Sequence, residues 1–216
     1  MRYKAVLFDM DGTVLDTLGD LTNAVNHSLG VFSMPERSMA EVAGFLGNGA
    51  RYLIEHAVAP GTSPELAAKV LEYYSPWYNA HCAILTAPYP GIVSLMEALK
   101  AAGVKQAVIS NKQDSAVKPL AAQHFPGLLD FAVGESATVR RKPNPDAVLT
   151  ALREMGVRRE EAVYVGDTEV DIETAKNAGL ECAVVSWGFR TVEQLRTVWD
   201  GRIFSSADEL KAYLLA

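Results

Sequence analysis

Two acids two residues apart, Asp9 and Asp11, close an apolar run and precede Gly12. A carboxylate can attack a phosphoryl centre, and a second carboxyl beside it can give a proton to the leaving oxygen and later take one from water. Asp flanking Gly is also ordinary turn chemistry, so the pair gains meaning only with partners. Three later segments offer them: Ser110 and Asn111 after VKQAVI, Lys142 within RRKPNP, and Asp167 after EAVYVG with Asp171 one helical turn on. Asp9, Asp167 and Asp171, with backbone carbonyls and water, make a hard oxygen set suited to Mg²⁺, and the chain has no His or Cys cluster suited to zinc. Lys142 and such a cation would both reduce the repulsion between a carboxylate and a phosphate dianion. Asp9 is therefore expected to be the nucleophile and Asp11 the general acid and base, with Thr13 and Ser110 hydrogen-bonding the phosphoryl oxygens. Plainer readings stay open for each fragment. Ser110-Asn111 can open a helix, Arg140-Arg141-Lys142 can be a solvated loop, and Thr168 with Asp171 fits a capping box.

Whatever delivers these groups must bring four distant segments to one edge. Residues 3–8, 104–110, 131–135, 161–167 and 180–186 are each apolar and then abruptly polar, as buried strands are. Helical stretches lie between them, one with Pro145 near its first turn and one ending at Gly179. Alternating strand and helix predicts an α/β fold, a Rossmann-like parallel sheet flanked by helices, with ligands beyond the carboxyl ends of the strands. RIFSS and ADELKAYLL are expected to add a last strand and helix. From about Asp16 to His81 helical periodicity recurs in TLGDLTNAVNHSLG, GARYLIEHAV and PELAAKVLEYYSPWYNA, with no strand pattern between them. This predicts an inserted all-helical cap, residues 16–82, on a core of residues 1–15 and 83–216, placed over the sheet edge as a lid.

The 216 residues suffice for a core domain carrying a smaller one, and 49% hydrophobic with 21% charged residues is a globular composition. A formal charge of −6 without a basic stripe argues against nucleic acid as a partner. Cys82 and Cys182 have neither redox nor zinc spacing and read as reduced thiols. With Asp9 and Asp11 interrupting the first apolar run and no stretch of membrane-spanning length, no membrane association is expected and the expected address is cytoplasmic.

DMDGT (9–13), VISN (108–111), RKPNP (141–145) and GDTEVD (166–171) resemble, in order, the four motifs of the haloacid dehalogenase superfamily. The resemblance implies a phospho-aspartate intermediate on Asp9 and Mg²⁺ as cofactor. It implies a phosphate-binding set of Thr13, Ser110, Asn111 and Lys142, and a metal held by Asp9, Asp167 and the backbone carbonyl of Asp11, with Asp171 acting directly or through water. The family's dehalogenases lack an acid at the position matching Asp11, so this chain points to a small-molecule phosphate ester as substrate. DTLGDLTNAVN and FLGNGARYLIE are most similar to phosphoglycolate phosphatases within the family. Gly47, Asn48, Gly49 and Arg51 then become candidate substrate contacts of the cap, the glycines allowing close backbone approach and Arg51 a carboxylate partner. A phosphosugar mutase or a pyrophosphatase would use the same aspartates.

Overall fold

In the computed structural model, which describes residues 2–216, the first apolar run forms β1 (Ala5–Phe8), buried on both faces. Its side chains alternate: Val6 and Phe8 enter one apolar layer, Ala5 and Leu7 the other. Five more strands join it. They are β4 (Lys105–Gln113), β5 (Phe131–Glu135), β6 (Ala162–Gly166), β7 (Glu181–Val185) and β8 (Ile203–Phe204). All neighbours pair in parallel, in the order β5-β4-β1-β6-β7-β8. Strand order reverses between β1 and β6, the place where doubly wound sheets bind ligands.

Helices cover both faces. On one lie α5 (Ile92–Ala101), α6 (Asp114–His124) and α10 (Ala207–Leu214); on the other lie α7 (Asp146–Met155), α8 (Glu169–Ala178) and α9 (Val192–Arg196). Gly156 and Gly179 end α7 and α8 in the left-handed conformation that glycine favours.

Between β1 and α5 the chain makes four helices: α1 (Leu18–Val31), α2 (Met39–Phe45), α3 (Gly49–Ala57) and α4 (Pro64–His81). Helical periodicity anticipates α1, α3 and α4 but not α2, which is only seven residues long. The signal for α2 was its capping box, in which Ser38 accepts from Glu41 N while Glu41 accepts from Ser38 N. The two chain crossings into and out of these helices pair as an antiparallel ribbon, β2 (Leu15–Asp16) with β3 (Ala87–Pro88), too short to leave a periodic pattern. Beside the ribbon, buried Asp20 accepts hydrogen bonds from Ile84 N, Leu85 N, Thr86 N and Thr86 Oγ1.

One strand departs from its expected end. β4 does not stop at Ser110 but runs on to Gln113, with its register against β5 shifting between Ile109 and Gln113. Such an irregularity bends a strand and re-aims its side chains, here those of residues 110–112.

Candidate active site

The site grows from the switch point. Asp9 N donates to Val165 O at 2.9 Å, so the chain just beyond β1 is tied to the end of β6, where Asp167 follows. Gly12 allows the next turn with φ +81°, and a Cβ there would lie 2.5 Å from Asp167 Oδ2. Gly188, after β7, is equally confined, since a Cβ would lie 2.3 Å from the same oxygen. Asp167 is fully buried between them, accepting from Thr13 Oγ1 at 2.8 Å and from Phe189 N at 2.8 Å.

Lys142 reaches this group from the loop after β5. Its ammonium is 2.8 Å from Asp9 Oδ1 and donates to Asp171 Oδ1 at 2.7 Å and to Tyr164 OH at 3.1 Å. Asp171 also accepts from Thr168 N and Thr168 Oγ1 through its other oxygen, so it caps α8 and pairs with Lys142 at once. Burial, reinforced by the charges of Asp171 and Asp11, pushes the Asp9 carboxyl up to about 7 against the opposing pull of Lys142. Burial and the charges of Asp171 and Asp9 likewise hold Asp167 well above the usual carboxylate range. Burial alone would lower Lys142; Asp171 and Asp9 outweigh it and keep the ammonium charged.

Asp9, Asp167 and Asp171 each offer a ligand oxygen within 4.8 Å of the others, all three residues buried. One ammonium among three buried carboxylates leaves an excess of negative charge, and only oxygen donors converge there. That donor set fits a hard divalent cation such as Mg²⁺.

Asp11 and Asp9 line one cleft together with Ser110 and Lys112 from β4 and with Leu21, Leu46, Leu53, Tyr74 and Tyr78 from the four-helix segment. Asp11 Oδ1 is 2.9 Å from Lys112 Nζ, and no donor hydrogen is aligned on that oxygen among the described residues.

The profile of the haloacid dehalogenase-like hydrolases matches residues 6–185. The chain belongs to that family. Phosphoglycolate phosphatase 1 of Pseudomonas aeruginosa is 35% identical over 193 residues, 86% of this chain and 70% of its own length. N-acetylmuramic acid 6-phosphate phosphatase of the same organism is 32% identical over 204 residues, covering 92% of this chain and 88% of its own. A crystal structure of a candidate phosphoglycolate phosphatase from Lactobacillus delbrueckii subsp. bulgaricus superposes with a TM-score of 0.94 at 36% identity, over 99% of both chains. This haloacid dehalogenase-like hydrolase is a phosphatase-type member, similar to phosphoglycolate phosphatases. No helix among its described residues is long and apolar enough to cross a membrane.

In this hydrolase the residues singled out from sequence are placed unequally. Asp9, Lys142, Asp167 and Asp171 are in one buried cluster, and Ser110 lines the cleft with Asp9 and Asp11. Thr13 and Asn111 are spent on organising it. Thr13 binds Asp167, while the Asn111 amide donates to Gly47 O and Lys142 O and accepts from Lys142 N, lashing the lysine loop to β4 and to the turn before α3. Gly47 and Gly49 line the cleft, but Asn48 and Arg51 lie in a separate groove with Arg140 and Arg141. Arg51 is exposed, 3.9 Å from Glu55, and stands outside the cleft that holds Asp9.

Sequence reading passed over Lys112 and Tyr78. Arg190 is buried, paired with both oxygens of Glu169, and donates to Ala43 O and Leu46 O at the end of α2. The segment Trp187–Arg190 after β7 thus organises the site from behind, through Phe189 N on Asp167 and Trp187 Nε1 on Thr13 O.

Proposed function

We propose that this enzyme hydrolyses phosphate monoesters through an aspartyl-phosphate on Asp9, and that 2-phosphoglycolate leads its substrates. The observation that carries the reading is the division of labour between the two acids. Asp9 belongs to the buried cluster with Lys142, Asp167 and Asp171, and Asp11 stands beside Lys112 at the cleft with an oxygen on which no donor hydrogen is aligned. An Asp9 oxygen attacks phosphorus, the ester P–O bond breaks, and Asp11 gives its proton to the leaving oxygen. In the second half Asp11 takes a proton from water, whose oxygen attacks phosphorus and breaks the acyl-phosphate bond to Asp9. Lys142 stays charged throughout, orients Asp9 and offsets the repulsion between its carboxylate and the phosphate; Ser110 supplies a neutral hydrogen bond to the phosphoryl oxygens. Asp9 and Asp167, with the Asp11 carbonyl and Asp171 close by, would hold Mg²⁺, which supplies charge neutralisation between carboxylate and phosphate.

Residues 16–82 act in this reading as a cap over a core of residues 1–15 and 83–216. Leu21, Leu46, Leu53, Tyr74 and Tyr78 of that segment wall the cleft opposite the acids, and the relative named as a phosphoglycolate phosphatase supports the substrate.

A phosphate-release screen over small esters, with and without Mg²⁺, tests both parts. The expected result is 2-phosphoglycolate at the head and no release from Asp9→Asn. Preference for N-acetylmuramic acid 6-phosphate would overturn the substrate, and an active Asp9→Asn enzyme would overturn the mechanism.

A further inference from the structure

We infer that Lys112 is the cation that recognises a second anionic group on the substrate, the carboxylate of a short 2-phosphorylated acid. This role presupposes the phosphatase reading of the same site and gives its leaving group a partner.

The two buried lysines have different positions. Lys142 donates to Asp171 and Tyr164, pairs with Asp9 at 2.8 Å and does not line the cleft. Lys112, turned inward by the irregular end of β4, does line it, and among the described residues it is the one cation that does. Its side chain is only 4% exposed. The ammonium meets Asp11 Oδ1 at 2.9 Å, donates to Tyr78 OH at 2.6 Å, and lies 4.6 Å from the centre of the Tyr78 ring. Around it the walls are Leu21, Leu46, Leu53 and Tyr74. A buried charge in such a setting is costly unless a function or a full set of partners sustains it, and charge pairing there is stronger than in water.

Direction decides what meets it. Asp11 is the group set to protonate the leaving oxygen, so the rest of the leaving group must extend on the Asp11 side of the phosphorus. Lys112 is the next residue on that side. In a 2-phosphorylated acid the carboxylate carbon is bonded to the carbon that carries the leaving oxygen, which brings the carboxylate alongside Lys112 as soon as the oxygen reaches Asp11. Tyr78 accepts from Lys112 and keeps its own hydroxyl hydrogen to give to the same carboxylate. Because Tyr78 stands on α4, the anion's second partner comes from the cap. Lys112 therefore fills the part that sequence had suggested for Arg51, which lies outside the cleft.

Lys112→Met keeps the length of the side chain and removes the charge. Turnover of 2-phosphoglycolate is compared with that of 2-hydroxyethyl phosphate, which has the same chain and no carboxylate. The variant should lose roughly a hundredfold more kcat/KM on 2-phosphoglycolate than on the neutral ester, chiefly through KM, and should bind the product glycolate more weakly as a competitive inhibitor. Lys112→Arg should keep part of the preference. Equal losses on both esters would overturn the proposal, leaving Lys112 to position Asp11 only. A wild type that prefers 2-phosphoglycolate and a variant that still does would sink the Lys112 assignment alone; a wild type without preference would sink the substrate reading and the assignment with it. Should Lys112→Met fail to fold, Lys112→Gln, which can still hydrogen-bond Tyr78, is read by the same ratio.

Discussion

Asp11 differs from Asp9 in what surrounds it more than in its chemistry. Asp9 accepts from Met10 N and pairs with Lys142 on the buried side, whereas Asp11 meets one ammonium at the edge of an apolar cleft. If Asp11 protonates the leaving oxygen, Asp11→Asn should lower kcat by about 10²–10⁴ for esters of alkyl alcohols and by far less for p-nitrophenyl phosphate, whose leaving oxygen needs no proton. A plot of rate against leaving-group pKa checks this, and an equal loss for both classes would contradict it. The acids were legible in sequence because each interrupts an apolar run at a strand end. Lys112 was not, since the polar stretch after Ile109 gives no sign that the strand continues through it and turns the lysine inward. Arg51 misled for the opposite reason: glycines beside an arginine at a helix start suit an anion, but position along a helix does not say which way its side chain faces.

Well-placed polar groups join the four-helix segment to the sheet and its helices. On one face of α4, Ser75 accepts from Gln113, Tyr78 accepts from Lys112 and Asn79 donates to Ser115, an i, i+3, i+4 set that meets the end of β4 and the start of α6. On the other side Asn111, Arg141 and Arg190 bind backbone carbonyls of the α2–α3 region. Where the chain returns from the four helices, Asp20 of α1 gathers it at residues 84–86. Asp20→Ala strands several donors and should cost about 2–4 kcal/mol in urea unfolding with an unchanged m-value. A cost below about 0.5 kcal/mol would show this return to be held by the β2–β3 ribbon instead. The strand and helix order was readable from periodicity, while this seam was not, because its members are far apart in sequence and each is an unremarkable surface type.

Over the whole molecule, the fold concentrates negative charge where the strand order reverses and leaves one ammonium to balance it. The consequence has a definite sign. The folded state raises the Asp9 carboxyl from its ordinary 3.8 to about 7, and raises Asp167 as well, so the folded protein binds more protons than the unfolded chain in that interval. Stability without metal should therefore fall as pH rises from about 4 to 7. A divalent cation competes with those protons, so the gain in melting temperature on adding Mg²⁺ should grow over the same range. At a hundredfold excess over Kd it should reach about 2.7 kcal/mol, roughly 5–10 °C for a chain of this size. Thermal melts at several pH values with Mg²⁺ or EDTA measure this, and a gain that shrinks as pH rises would count against a metal at these three carboxylates.

The covalent step on Asp9 is tested most directly by trapping it. The enzyme is mixed with substrate labelled in its phosphoryl group, quenched in acid during the first turnover, treated with borohydride and digested. An acyl phosphate on Asp9 predicts phosphoryl label on the quenched protein and reduction of that one side chain to homoserine, found in the peptide that spans β1. Turnover with no labelled protein, or with the label on Ser110 or Asp11, would contradict it.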